Sequence, residues 1–291
     1  MPPVGIGGGE QRLHHHLVSS LKNLTAAACP NTAGELFGIA AVPEQVRAYA
    51  KVAASLNVSD PHICEVGFNC GHSTTTFLEA NPRATLVNFD LPMLRWARSA
   101  RSFIKHRYGS RVKIIDGPSR KTIPEFAMAH PNFRCDLVVV DGEHSYVGSL
   151  LDLVNLLQYA PCNAPVLMDD ICDPQRCHAH IPRTLSNFSR YKGGSNHPSI
   201  IGTTMAWNEA LRVGHVAQLK TWFNIASDRG WVLGRNQCGS DGKAKPMQPS
   251  YTLRPPRLQF EPDIFSKDIA PTYEAQYEDA AKAWGGTSES G

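Results

Sequence analysis

Short apolar runs alternate with stretches of helical period through the middle of the chain. From Pro43, the residues Val46, Tyr49, Ala50, Ala53 and Leu56 fall on one helical face, and Asp60-Pro61 breaks that segment. Five runs of strand length follow: Ile63 to Gly67, Thr85 to Asp90, Val112 to Asp116, Leu137 to Asp141, and Val166 to Asp169. A short helix is predicted between the first two, from about Ser73 to Asn81-Pro82. Pro92 suits the first turn of the next helix, whose buried stripe is Met93, Trp96, Ala97, Ala100 and Ile104. A loop and a short helix follow the third run. Tyr146, Leu150, Leu153, Val154 and Leu157 mark the helix after the fourth. Strands that alternate with helices in this way predict an α/β fold with a parallel, doubly wound sheet.

The pattern changes after the fifth strand. Residues 171–200 mix Pro, Gly, Cys and His with little period, as expected of a long loop with a short helix where a substrate lid would sit. Thr204 to Gly214 reads as a helix stopped by its glycine. Val216 to Trp222 and Gly230 to Gly234 read as two closing strands joined by a helical turn, one of them antiparallel. The expected organisation is a flexible tail over 1–34, one domain over 35–237, and a polar, Pro-rich tail over 238–291 with a helix from Tyr273 to Trp284.

Hydrophobic residues make up 42% of the 291, enough for an ordinary core, and the net charge of +3 is too small to imply nucleic acid. No apolar run approaches the roughly 18 residues of a membrane span. Met1 to Gln11 is Gly- and Pro-rich and lacks a signal-peptide core, so a cytoplasmic location is expected. On that footing the eight cysteines are expected to be mainly buried free thiols, and the sequons at Asn23, Asn57 and Asn187 incidental.

Candidate chemistry sits where the strands end. Ligands of open parallel sheets bind at the carboxyl ends of the strands. Here those ends carry Glu65-Val66-Gly67, Asp90, Asp116, Asp141 and Asp169-Asp170, so acids from five consecutive strands converge on one cleft. The first loop, Glu65-Val66-Gly67-Phe68-Asn69-Cys70-Gly71-His72-Ser73, lacks the G-x-G-x-x-G spacing that seats a diphosphate. An acid two residues before the first glycine suits a ligand with an amino group, and Asp90 is placed to accept from ribose hydroxyls. A nucleoside bearing an ammonium group and no diphosphate describes S-adenosylmethionine.

From about Glu35 to Asn236 the chain resembles the class I S-adenosylmethionine-dependent methyltransferases, with their Rossmann-like sheet. The likeness is closest to small-molecule O-methyltransferases of the macrocin type. It rests on Glu65-x-Gly67-x-x-x-Gly71-x-Ser73, Asp90, the run Val139-Val140-Asp141-Gly142-Glu143-His144-Ser145-Tyr146, and Met168-Asp169-Asp170. The resemblance implies methyl transfer to a small hydroxylated metabolite, with Glu65, Gly67, Asn69, Gly71, Ser73, Asp90, Ser119 and Asp141 around the cofactor. Where the family often has Gly-Asp-Ser, this chain has Gly117-Pro118-Ser119, which leaves adenine to backbone groups and Ser119. Alternatives are methylation of nucleic acid or protein, a non-methylating member of the same fold family, and a binding module with a degenerate site.

Asp141 and Asp169, 28 residues apart, resemble the magnesium-holding acids of catechol-type O-methyltransferases, with Asp170 as a third ligand. Facing carboxylates repel unless a cation or protons intervene, and protonated acids or simple capping residues are the alternatives. His144, on the same loop as Asp141, is a candidate general base beside Asp141; a histidine that caps the helix or touches the cofactor carboxylate is the alternative. Cys172, Cys177, His178 and His180 have a spacing that fits structural zinc poorly, and a bridged pair or incidental thiols are the alternatives. Arg95, Arg98, Arg101, Lys105, Arg107, Arg111 and Lys113 form a basic stretch that reads as a solvated helix face, or as a footprint for RNA.

Overall fold

The computed structural model describes residues 8–29, 38–91, 95–172, 198–224, 229–239 and 242. The expected strands form one sheet: β1 (His62–Val66), β2 (Thr85–Asp90), β3 (Val112–Asp116), β4 (Leu137–Val140), β5 (Pro165–Ile171), β6 (Val216–Asn224) and β7 (Arg229–Asn236), in the order β3-β2-β1-β4-β5-β7-β6. The first five are parallel to one another, and β7 runs antiparallel to both β5 and β6. The fold is thus the expected Rossmann-like one. Val138, Val139, Val166 and Leu167 are buried because the central strands are covered on both faces, which their unbroken apolar runs require.

Helices cover both faces. They are α1 (Gly8–Ala28), α2 (Pro43–Ala54), α3 (His72–Ala80), α4 (Arg95–Tyr108), α5 (Ser119–Ala129), α6 (Tyr146–Leu157) and α7 (Pro198–Arg212). Helix α6 is buried along its whole length, because it lies against β4 on one side and α7 on another. Among the described residues no helix is long and apolar enough to cross a membrane. The helical turn expected between β6 and β7, the helix expected over 273–284, and most of the 171–200 loop lie outside the described residues, as do the side chains of Met93 and Trp96.

Two expectations are corrected. The N-terminal stretch is not a loose tail over residues 8–29: α1 lies against α3 and α4, with Leu24 buried in the core they share and Leu17 and Leu21 buried against Ala40, Val46 and Ala50. Thr25 Oγ1 meets His72 Nε2 at 2.9 Å, and His16 of the histidine run meets Glu79 at 2.6 Å. The leucine stripe has helical spacing, but the flanking glycines and histidines obscured it.

Nor are the cysteines among the described residues free thiols. Cys29–Cys70, Cys64–Cys135 and Cys162–Cys238 are disulfides with Cα–Cα separations of 6.2, 5.4 and 5.5 Å, and Cys172 is also bridged. The three pairs close loops of 41, 71 and 76 residues. In the chain-entropy picture each such closure stabilises by about 4 kcal/mol. The last bridge ties Cys238 to the loop between α6 and β5, so the domain includes the residue at which a tail was expected to begin.

If α1 belongs to the fold, Leu21→Ala lowers the unfolding free energy by about 2–5 kcal/mol in a denaturant titration. A change within about 0.5 kcal/mol is the behaviour of a tail.

Candidate active site

The candidate site is built at the carboxyl ends of β1 and β4, which lie side by side in the sheet. Asp141 N donates to Val66 O at 2.9 Å, and Gly67 N donates to Phe89 O at 3.0 Å, so the ladder holds Gly67 directly beside Asp141. Gly67 has φ +92°, and a Cβ there would overlap the Asp141 carbonyl. The glycine is therefore required by backbone packing between the two strand ends, as well as by any ligand above them. Gly71, with φ +73°, starts α3, and a Cβ on it would sit 2.8 Å from the Phe68 ring. Asn69, at the tip of this loop, is exposed with φ +46°.

Glu65 lies beneath this loop with no exposure. Its Oε2 accepts from Thr74 Oγ1 at 2.5 Å and Asn88 Nδ2 at 2.8 Å, while Oε1 has no hydrogen-bond partner. Burial raises its pKa from 4.5 to about 7, against the hydrogen bonds from Thr74 and Asn88 that favour the anion. Ser73 is buried in the first turn of α3.

Asp90 ends β2. Its Oδ1 accepts from Phe68 N at 3.1 Å, and its Oδ2 pairs with Arg101, whose other terminal nitrogen pairs with Asp116. Burial raises the Asp90 pKa, and the guanidinium opposes that shift. Ser119 stands at the start of α5, with its hydroxyl donating to the buried Asp152 of α6.

The paired acids of β5 part company. Successive strand residues face opposite sides, and the ladder is irregular between Met168 and Ile171. Asp170 there has φ +55°, an uncommon conformation for a residue with a side chain. Asp169 Oδ2 accepts from Gln45 Nε2 of α2 at 2.8 Å, and its Oδ1 from Asp170 N at 2.8 Å. Asp170 instead faces His144, with Oδ2 3.1 Å from Nε2, while Asp141 Oδ1 lies 3.8 Å from the same nitrogen.

Among the described residues, Asp141, His144 and Asp170 offer ligand atoms within 4.8 Å of one another. The three-acid cluster drawn from sequence is thus rearranged: His144 takes the place of Asp169, which is turned toward α2. Burial by itself lowers the His144 pKa, but Asp141, Asp170 and Asp169 outweigh it and raise the value from 6.5 to about 9. An imidazole near its ordinary pKa is therefore not what this fold provides in the absence of a cation.

Sequence reasoning passed over Gln45, Arg101 and Asp152. Gln45 is a polar residue on the buried side of α2, beside Val46 and Tyr49, and that position was its signal. Arg101 lies one turn from Ala97 on the buried side of α4, and counting it among solvated charges hid it. Its neighbours are engaged as well. Arg107 pairs with Glu79, and Arg111 donates to the carbonyls of Leu78, Asn81 and Ala84. The basic stretch is to that extent an internal brace. Cys172 is bridged, and the other members of its Cys/His cluster lie outside the described residues.

Residues 64–171 match the family model described as a methyltransferase domain. A search of curated proteins found no match. Solved structures of similar fold include the O-methyltransferase TomG from Streptomyces achromogenes, at 16% identity and TM-score 0.53, over 76% of this chain and 90% of that one. The SAH-bound methyltransferase PaMTH1 from Podospora anserina matches at 15% and 0.53, over 82% of this chain and 100% of that one. An O-methyltransferase from Bacillus cereus in complex with SAH matches at 13% and 0.51, over 81% and 94%. The comparisons thus show a Rossmann-like fold that contains a methyltransferase domain over residues 64–171. The Glu65–Ser73, Asp141–Tyr146 and Met168–Asp170 motifs all lie within that matched segment.

Two predictions follow from this geometry. Gly67→Ala forces β1 away from Asp141 and gives a chain that melts far below wild type or aggregates; an unchanged melting temperature removes the close approach from the account. In the unliganded protein, Glu65 and His144 each contribute a loss of stability as pH rises, Glu65 between about 4.5 and 7 and His144 between about 6.5 and 9. Glu65, with its folded pKa raised from 4.5 to about 7, penalises folding progressively across that interval. His144, raised from 6.5 to about 9, contributes stability that is complete below 6.5 and lost through 9. Melting scans should show Glu65→Gln flattening the lower window and His144→Gln the upper. Unaltered slopes in both variants contradict the assigned environments.

Proposed function

We propose that the chain transfers the methyl group of S-adenosylmethionine to a hydroxyl of a small molecule, with the acceptor oxygen placed at Asp141, His144 and Asp170. The single observation that carries this reading is the gathering of those three side chains within 4.8 Å, at the sheet edge that also holds Glu65. The similar structures from Streptomyces achromogenes and Podospora anserina are described as complexes with SAM and SAH, which supports the choice of cofactor.

The residues present fit that cofactor. The unpartnered Oε1 of Glu65 leaves one buried acceptor for an ammonium group. Gly67, Asn69, Gly71 and Ser73 form a turn with little side-chain bulk at its glycines, and Asp90 is the acceptor for ribose hydroxyls beside Arg101. Ser119 and the backbone of Gly117 remain the proposed contacts to adenine. When bound, the cofactor supplies a methyl group on a positively charged sulfur. The protein's part is to hold an oxygen in line with that methyl and to take its proton.

Asp141 and Asp170 fit a hard divalent cation such as magnesium, and His144 adds a nitrogen donor or stands free as the base. Asp169 joins as a ligand only by releasing Gln45. A cation held there would lower the pKa of an acceptor hydroxyl. Positive charge beside the carboxylates would also lower the pKa of His144, returning it toward the neutral form that can accept a proton.

The nucleic-acid alternative is weakened by Arg101 and Arg111, which are engaged with partners inside the fold. Labelled cofactor offered with a panel of hydroxylated metabolites should yield label on oxygen, and labelled RNA or protein in place of it overturns the reading. Turnover should rise with pH along a limb that moves to lower pH when magnesium is added, and His144→Ala should abolish that limb. Full activity in a chelator together with a fully active Asp170→Asn variant removes the cation.

A further inference from the structure

We propose that this chain folds and works in an oxidising compartment of the secretory kind, and that Asn57 carries an N-linked glycan there. All seven cysteines among the described residues are bridged. Their pairings are not local: they join α1 to the β1–α3 loop, β1 to the segment before β4, and the α6–β5 loop to the end of β7. Three pairs of cysteines, each 41 or more residues apart in sequence, come within bridging distance in one domain. A set of that kind is the signature of a chain matured where thiols are oxidised, since disulfides are rare in reducing cytosol. Each bridge forms from two thiols, whose two protons and two electrons pass to a disulfide-bearing oxidase that is left as a dithiol.

In such a compartment an N-x-S/T sequon on a surface loop becomes a modification site. Asn57-Val58-Ser59 lies in the loop between α2 and β1, with Asn57 and Ser59 exposed. That loop enters β1 at its amino end, whereas the acidic cleft lies at the carboxyl ends of the strands, so a glycan on Asn57 leaves the cleft open. Asn23 is a poorer acceptor: it sits within α1, and the hydroxyl of its partner Thr25 is buried, bonded to Leu21 O at 2.9 Å and to His72 at 2.9 Å. The modification joins Asn57 Nδ2 to the anomeric carbon of a polyprenyl-diphosphate-linked oligosaccharide. The bond to the diphosphate breaks, and one amide proton is lost.

The test uses the full chain isolated from the cells that make it, with thiols trapped by iodoacetamide and no reductant. Peptide mass spectrometry should find Cys29 linked to Cys70, Cys64 to Cys135 and Cys162 to Cys238. Peptide N-glycosidase in heavy-oxygen water should convert Asn57 to labelled Asp, and Asn57→Gln should lose that glycan while keeping activity. Alkylated cysteines with a bare Asn57 overturn the whole proposal. Linked cysteines with a bare Asn57, or a glycan on Asn23 alone, overturn the glycan assignment.

Discussion

Everything in the cleft depends on holding several carboxylates out of water at one edge of the sheet. Glu65 is completely buried, and Asp169 and Asp170 nearly so. Removing charge from water costs several kcal/mol per ion even after relaxation, so each acid needs compensation. Glu65 has a hydroxyl and an amide, Asp169 has Gln45, Asp170 has His144, and Asp90 has Arg101. The compensation is incomplete, as the raised pKa of Glu65 and its unpartnered oxygen show. A cleft in that condition favours a ligand that brings positive charge, which an S-adenosylmethionine molecule does at its amino group and at its sulfur.

Backbone geometry makes the crowding possible. The β1 loop can lie against Asp141 only because position 67 has no Cβ. The irregular register of β5 sends Asp169 to α2 and Asp170 to His144, so one dipeptide serves two sides of the site. The hydroxyl of Thr203, from α7, donates to the Asp170 carbonyl and fixes the unusual backbone there. Helix α7 also comes so close to the His144–Tyr146 backbone that Gly202 admits no side chain. Packing outside the cleft thus sets where its acids point.

Much of this was legible in the sequence. The bounds of β2 and β3 could be read to the residue, because each is a short, mainly apolar run that ends in an acid, Asp90 or Asp116. The acids at the strand ends located the cleft, since parallel strands place all their carboxyl ends together. What escaped were contacts between distant segments. Gln45 and Asp169 are 124 residues apart, and no local pattern joins them. Arg101 shares its composition with solvated neighbours and differs only in facing inward. The split of Asp169 from Asp170 depends on a register irregularity that strand propensity does not encode. The disulfides escaped for a similar reason: pairing cysteines 41 or more residues apart follows from the fold and not from any local pattern.

The account's central claim is that a buried acid in an acid-rich cleft selects a ligand carrying an amino group. Calorimetry of S-adenosylhomocysteine against its deaminated analogue, on wild type and Glu65→Gln, tests it directly. The account predicts that wild type binds the amino compound at least tenfold more tightly, and that the variant loses most of that preference while keeping its affinity for the analogue. Equal affinity of wild type for the two compounds, or a preference that survives Glu65→Gln unchanged, would contradict it.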